Sequence, residues 1–206
     1  MSTAPFTPKR HALGMPAGSV RAIHVLAIVG IVCAIILIPD PKLTIPPYLI
    51  YLLFMMLGAY FAAHGVTIAP SDEPGSRPLR LPGGVVRFLI IVMLAGSVGA
   101  RLYYDQAGFL TKFENSLDLL KDQPYVPLAI IGGFFLGIAL RSLIGRSPPA
   151  AWQDFEAWVS LIALIGLGIA ALIHLVIEPS TEASLSIPTW DACLGGVVAF
   201  YFGERS

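Results

Sequence analysis

Six ionisable residues carry most of the chemical potential of this chain: Arg87, Arg141, Asp154, Glu156, His174 and Asp191. All lie within or beside long apolar runs, where a charge is costly and an ion pair offsets the loss of water. Arg87 begins one such run, Arg141 ends the next, and Asp154 and Glu156 begin the one after. In a bundle of alternating helices these four share one depth, so at least one Arg–carboxylate contact is expected there, with a structural role. His174 and Asp191 form the second expected pair. Gly166, Ala170 and His174 repeat every four residues, as do Asp191, Gly195, Ala199 and Gly203. Four-residue spacing keeps side chains near one helix face. Setting the two small-residue stripes together brings imidazole and carboxylate to the same level. The carboxylate would favour imidazolium and desolvation would oppose it. Such a pair either senses pH, contacts a ligand, or clamps the two helices.

Other chemistry is sparse. Histidines 11, 24, 64 and 174 fall in four separate segments with no ligand spacing. His24 and His64 lie near the same end of the first two apolar runs and are the candidates for a metal or haem pair, or for an intramembrane enzyme. Their near-terminal positions favour two separately solvated interfacial imidazoles instead. The sequence holds no HExxH, Walker loop, GxSxG or GxGxxG between strand and helix. Cys33 and Cys193 sit in apolar runs without metal spacing, as small hydrophobes do. Formal net charge is zero, which removes the electrostatic case for nucleic acid. No cofactor and no catalytic residue is expected.

The elements that must position these groups are transmembrane helices. The chain has 206 residues, of which 56% are hydrophobic and only 13% charged; soluble domains carry about 25% charged residues. One uncharged apolar stretch runs through WVSLIALIGLGIAALIHLVI to Ile177, enough at about 1.5 Å per residue to cross about 30 Å of hydrocarbon. Similar runs predict an all-α polytopic bundle with six spans, at about 19–38, 47–66, 84–104, 124–143, 152–177 and 188–203. They would form three antiparallel hairpins. Residues 1–18 read as a flexible tail, and Ser19 as a cap for the first helix. The run from Ala22 to Ile38 reads as a retained anchor, since no small-residue cleavage site follows it. Between the third and fourth spans, residues 108–121 alternate Phe109, Phe113, Leu117 and Leu120 with charges. This predicts an amphipathic helix, lying on the membrane or covering the bundle, with those four side chains turned to lipid or bundle.

Basic residues fall nine to four on the two sides of such a bundle, which places both termini in the cytoplasm. The ending FYFGERS resembles the last helix of many small bacterial inner-membrane proteins. The glycines, with Gly133 and Gly137 in a GxxxG pair, let helix backbones approach closely, either within one bundle or between subunits. A weak echo aligns 123–142 with 187–206 through an entry proline, a central glycine and a final Arg-Ser. No charge lies at the centre of any expected span, which argues against a proton relay. The expected function is a non-enzymatic membrane scaffold or accessory subunit, in contact with lipid and with itself or another membrane protein. The alternative is a small channel or transporter for a neutral or weakly charged solute.

Overall fold

The computed structural model describes residues 13, 15, 18–40, 43–62, 79, 84–144, 149–177 and 188–204. The described residues form seven α-helices and no strand. These are α1 (Ser19–Leu37), α2 (Pro47–Ala62), α3 (Val85–Tyr104), α4 (Gln106–Asp122), α5 (Tyr125–Ile144), α6 (Ala150–Leu172) and α7 (Pro188–Glu204). Four stretches are long and apolar enough to cross a membrane: Ser19–Leu37, Val85–Tyr104, Tyr125–Leu143 and Ala151–Ile177. The last includes a π-helical turn, Ile173–Ile177, that continues α6. α2 and α7 are shorter, with 16 and 17 residues. Residues 63–66 and most of the expected tail lie outside the described residues.

Helix limits follow local chemistry. Gly18 and Gly84 precede α1 and α3 with φ of 78° and 90°, a left-handed conformation that only glycine adopts cheaply. The cap of α1 is therefore Gly18, and Ser19 has another use: its Oγ accepts the Leu79 N–H at 2.9 Å. Helix α3 ends where Arg101 pairs with Asp105 at 2.8 Å, and the Asp105 carboxylate then caps α4 by accepting the Gly108 N–H at 2.9 Å. A side chain at 108 would strike that carboxylate, which accounts for the glycine.

Individual contacts fix the helix directions. Gly30 faces Met93, and Cys33 Sγ lies 3.4 Å from Ser97 Oγ, so α1 and α3 run parallel. Gly133 meets Gly196, and Gly137 meets Phe200 and Glu204, so α5 and α7 are parallel as well. His24 of α1 meets Ser160 of α6 and Tyr201 of α7. One end of the bundle therefore collects the starts of α1, α3 and α6 with the ends of α5 and α7. Arg87 lies over Phe61, which brings the end of α2 there too. The α5–α7 seam is the tightest. At Gly133, Gly137 and Gly203 an added Cβ would run into the backbone carbonyls of Gly196, Phe200 and Phe134. Dispersion between backbones this close is what small residues provide inside lipid. The two segments with the sequence echo are thus the two that mate.

The amphipathic helix is present, and polar side chains share its buried face. Lys112 and Ser116 are fully buried, and Phe109 packs against the core. Phe113 and Leu117 are exposed, beside Leu110; the side chain of Leu120 lies outside the described residues. The reason is polar. The Lys112 Nζ donates to the Ile35 and Ile38 carbonyls at 2.8 and 2.9 Å. Those carbonyls belong to the last turn of α1, where no helical partner is available and a cation is favoured. Ser116 Oγ donates to the Lys112 carbonyl at 2.8 Å and accepts the Ile45 N–H at 2.9 Å. Helix α4 thereby covers the end of α1 and the α1–α2 connection.

Candidate functional site

A buried polar assembly lies at the opposite end, where α1, α6 and α7 converge. His24 has no exposed surface. Its Nδ1 lies 2.8 Å from the Val20 carbonyl and its Nε2 2.6 Å from Ser160 Oγ. A carbonyl only accepts, so Nδ1 carries a proton. In the neutral ring Nε2 then accepts from the Ser160 hydroxyl. Nε2 also lies 3.1 Å from the Ser160 carbonyl, a position that suits the doubly protonated ring. Tyr201 stacks on the imidazole with centroids 5.6 Å apart, and Phe202 meets it edge-on at 6.1 Å. The expectation of a solvated, interfacial His24 is overturned. Helix periodicity places His24 on the face that carries Val20 and Ile28, and both are buried. His64 lies outside the described residues.

A serine hydroxyl, an imidazole and an orienting carbonyl are the parts of a nucleophile and its base. Here Ser160 and His24 are both sealed from solvent, so the same bonds serve as a cross-link between α1 and α6. Glu156 lies one helical turn before Ser160 and Glu204 one turn after Tyr201, and both are buried. This end of the bundle is therefore a layer of buried polar groups, whereas large hydrophobic side chains are exposed along α3, α5 and α6.

The four charges expected to share a layer make contacts of several kinds. Arg87 sits over the Phe61 ring, 5.5 Å from its centroid. Arg141 donates to the Glu204 carbonyl at 3.4 Å, a second link across the α5–α7 seam. Asp154 Oδ1 accepts the Leu13 N–H at 2.7 Å. Glu156 is buried within α6. The four residues do share one end of the bundle. An Arg–carboxylate pair at 2.8 Å joins Arg101 and Asp105, at the end that α4 covers.

The two small-residue stripes are not set against each other. Gly166 faces Leu194, while Gly195 faces Ile130 of α5 and Leu52 of α2. Ala199 is buried and Ala170 half-buried. The α7 glycines turn to α5 because glycine there meets glycine, and the closer backbone approach wins. His174 falls in the π-helical turn and donates through Nε2 to the Thr44 carbonyl at 2.9 Å, tying the end of α6 to the α1–α2 connection. Asp191 is buried in the first turn of α7, where a carboxylate suits the positive helix end. Among the described residues, no group of three or more His, Cys, Asp or Glu is arranged to hold a metal ion.

Sequence reasoning missed the buried contacts of Lys112, the His24–Ser160 bond, and the Leu13 and Leu79 contacts. Leu13 and Leu79 share a signal: both have positive φ, at 58° and 54°, and both give their N–H to a side chain on a neighbouring helix start. Together these features give a helical bundle in which four helices are long and apolar enough to cross a membrane. No protein-family model matches the chain, and no curated protein or solved structure is similar to it.

Proposed function

We propose that the protein is a non-enzymatic integral membrane scaffold or accessory subunit that acts through helix–helix contacts with a second copy or with another membrane protein. The observation that carries this reading is the outer face of α3. Ala95, Gly96 and Gly99 are exposed there, and nothing lies within 4 Å of a Cβ placed at 96 or 99. Gly133 and Gly137 of α5 and Gly196 and Gly203 of α7, by contrast, are consumed inside the bundle. An open small-residue face within a membrane span is a surface on which another helix packs closely. The His24–Ser160 layer supports the same reading, since its polar groups bond one another across the interior.

The test is oxidative crosslinking in native membranes, in a variant with Cys33 and Cys193 replaced by Ala. Gly99→Cys is expected to form a crosslinked species. Ile162→Cys, on the exposed face of α6, is expected to form none. Equal yields at both positions, together with glycerol flux through vesicles holding the purified protein, would replace the scaffold by a pore.

In this reading α2 and α7 are the remaining two crossings, at roughly 24 and 26 Å for 16 and 17 residues. The alternating directions of the helices support three antiparallel hairpins, with α4 as the interfacial helix. The basic bias supports cytoplasmic termini. Reporter domains fused after Ser206 and inserted after Glu114 are expected on opposite sides of the membrane. Signals from the same side would rule out this topology.

A further inference from the structure

Helix α4 has three faces, each of a different chemistry. Successive residues of an α-helix step about 100° around its axis. Phe109, Lys112 and Ser116 therefore share one sector about 60° wide, and this sector meets the bundle. Leu110, Phe113 and Leu117 share the adjacent sector, also about 60° wide, and all three are exposed. Thr111, Glu114, Asn115, Asp118 and Lys121 occupy the rest of the surface, and they are exposed as well. A helix that only covered a bundle in water would need one apolar face. This helix has a second, which the bundle leaves open.

The bonds of α4 fix how it lies. Asp105, at its start, follows directly on the end of α3. Lys112 reaches the last carbonyls of α1, and Ser116 holds the Ile45 N–H just before α2. The end of α3, the end of α1 and the start of α2 belong to the same end of the bundle. From Asp105 to Ser116 the helix advances about 16 Å. It therefore runs across the end of the bundle, at the level where the apolar stretch of α3 stops. Tyr103 and Tyr104, the last residues of α3, are almost fully exposed at that level and meet edge-on at 5.2 Å. Exposed tyrosines of this kind suit the membrane–water boundary, where the ring is apolar and the hydroxyl is wet. The open face of α4 is thus continuous with the exposed apolar surface of α3.

Charge narrows the partner further. Helices drawn to anionic membranes are rich in Lys and Arg on the polar face. Apart from Lys112, which is spent on α1, α4 carries one cation, Lys121, against Glu114, Asp118 and Asp122. Lys121 is itself paired with Asp118 at 2.8 Å. An anionic headgroup would meet more carboxylates than cations here.

We propose that Leu110, Phe113 and Leu117, flanked by Tyr103 and Tyr104, are a membrane-surface contact that takes the uncharged boundary between headgroups and acyl chains, with no attraction from anionic headgroups. The contact rests on the reading that the chain spans a membrane. Apolar area alone drives it, and Lys112 sets the rotation of α4 that turns this sector outward. The polar sector then faces water.

The experiment uses the full chain, with Cys33 and Cys193 replaced by Ala, in phosphatidylcholine vesicles. Single nitroxide labels are placed through Leu110→Cys, Phe113→Cys, Leu117→Cys, Glu114→Cys and Asp118→Cys. Relaxation by oxygen, which concentrates in lipid, is compared with relaxation by a water-soluble nickel chelate. Labels at 110, 113 and 117 are expected to favour oxygen, and labels at 114 and 118 to favour nickel. Replacing a third of the lipid by phosphatidylglycerol is expected to leave these preferences unchanged or to weaken them. Leu117→Glu is expected to shift the label at 113 towards nickel, whereas Asn115→Glu, on the polar sector, is expected to leave it in place. Circular dichroism checks that each variant is folded. A label at Ile162, on the exposed face of α6, separates the two readings. Oxygen preference at 162 with nickel preference at 113 and 117 would overturn the contact and leave the membrane reading standing. Nickel preference at 162 would overturn the membrane reading itself. Protection of 113 and 117 from both reagents would overturn the contact by showing protein over that face. An oxygen preference that rises with phosphatidylglycerol would overturn its uncharged character.

Discussion

Gly133→Leu is expected to lower stability in micelles by about 3 kcal/mol or more, the upper range for overpacking a filled site. The obstacle is backbone: the added Cβ would run into the Gly196 carbonyl oxygen, with the Gly196 carbonyl carbon at 3.0 Å and Cα at 3.1 Å. No rotamer change relieves such a clash, so α5 and α7 must separate. Separation then loses contacts along the whole seam, including the approaches at Gly137 and Gly203. Gly132→Leu is the matched control. It lies one residue away on the same helix, with nothing within 4 Å of its Cβ, and its effect is expected within about 0.5 kcal/mol. Equilibrium unfolding of both variants measures the difference. Equal stability would mean that α5 and α7 do not mate through these glycines.

Replacing Lys112 by Met is expected to cost about 3 kcal/mol and to free α4. Two carbonyls at the end of α1 lose a charged donor, and each such bond contributes about 1.5–3 kcal/mol where the acceptor is left buried. Hydrogen exchange over residues 106–122 should accelerate in the variant. Ser116→Ala tests the neighbouring tether: it removes the acceptor for the Ile45 N–H and is expected to cost about 1–2 kcal/mol. A pH signature separates Lys112 from a mere packing role. Burial pushes its ammonium below the usual lysine range, Arg101 pushes the same way, and Asp40 opposes both. The folded protein thus holds this proton less tightly than the unfolded chain does. Below the lowered value both states are protonated and the folded state bears the full penalty. As pH rises from there to the ordinary lysine value of about 10.4, the penalty is relieved and stability increases. That alkaline slope should vanish in Lys112→Met. Unchanged exchange together with an unchanged slope would show that Lys112 does not hold α4.

Run length and composition alone determined the helices. An apolar stretch of some 20 residues has no other way to satisfy its backbone in lipid. Accordingly, the runs ending at Ile38, Tyr104 and Leu143 became α1, α3 and α5 within a residue or two. The GxxxG pair at Gly133 and Gly137 was legible as a packing face for the same reason. Its partner was not, because glycine on any neighbouring helix satisfies the pattern equally; proximity of Gly196 and Gly203 selected α7. Polar side chains show the same division. On an amphipathic segment, a lysine reads as solvated. The tertiary structure reversed this for Lys112, since the carbonyls that it caps lie 77 and 74 residues away in the chain. His24 near the start of a span reads as interfacial until Ser160, 136 residues on, is placed against it. Local sequence controls backbone hydrogen bonding within a helix, whose partners are four residues apart. The partners of buried polar side chains are set by the packing of distant helices.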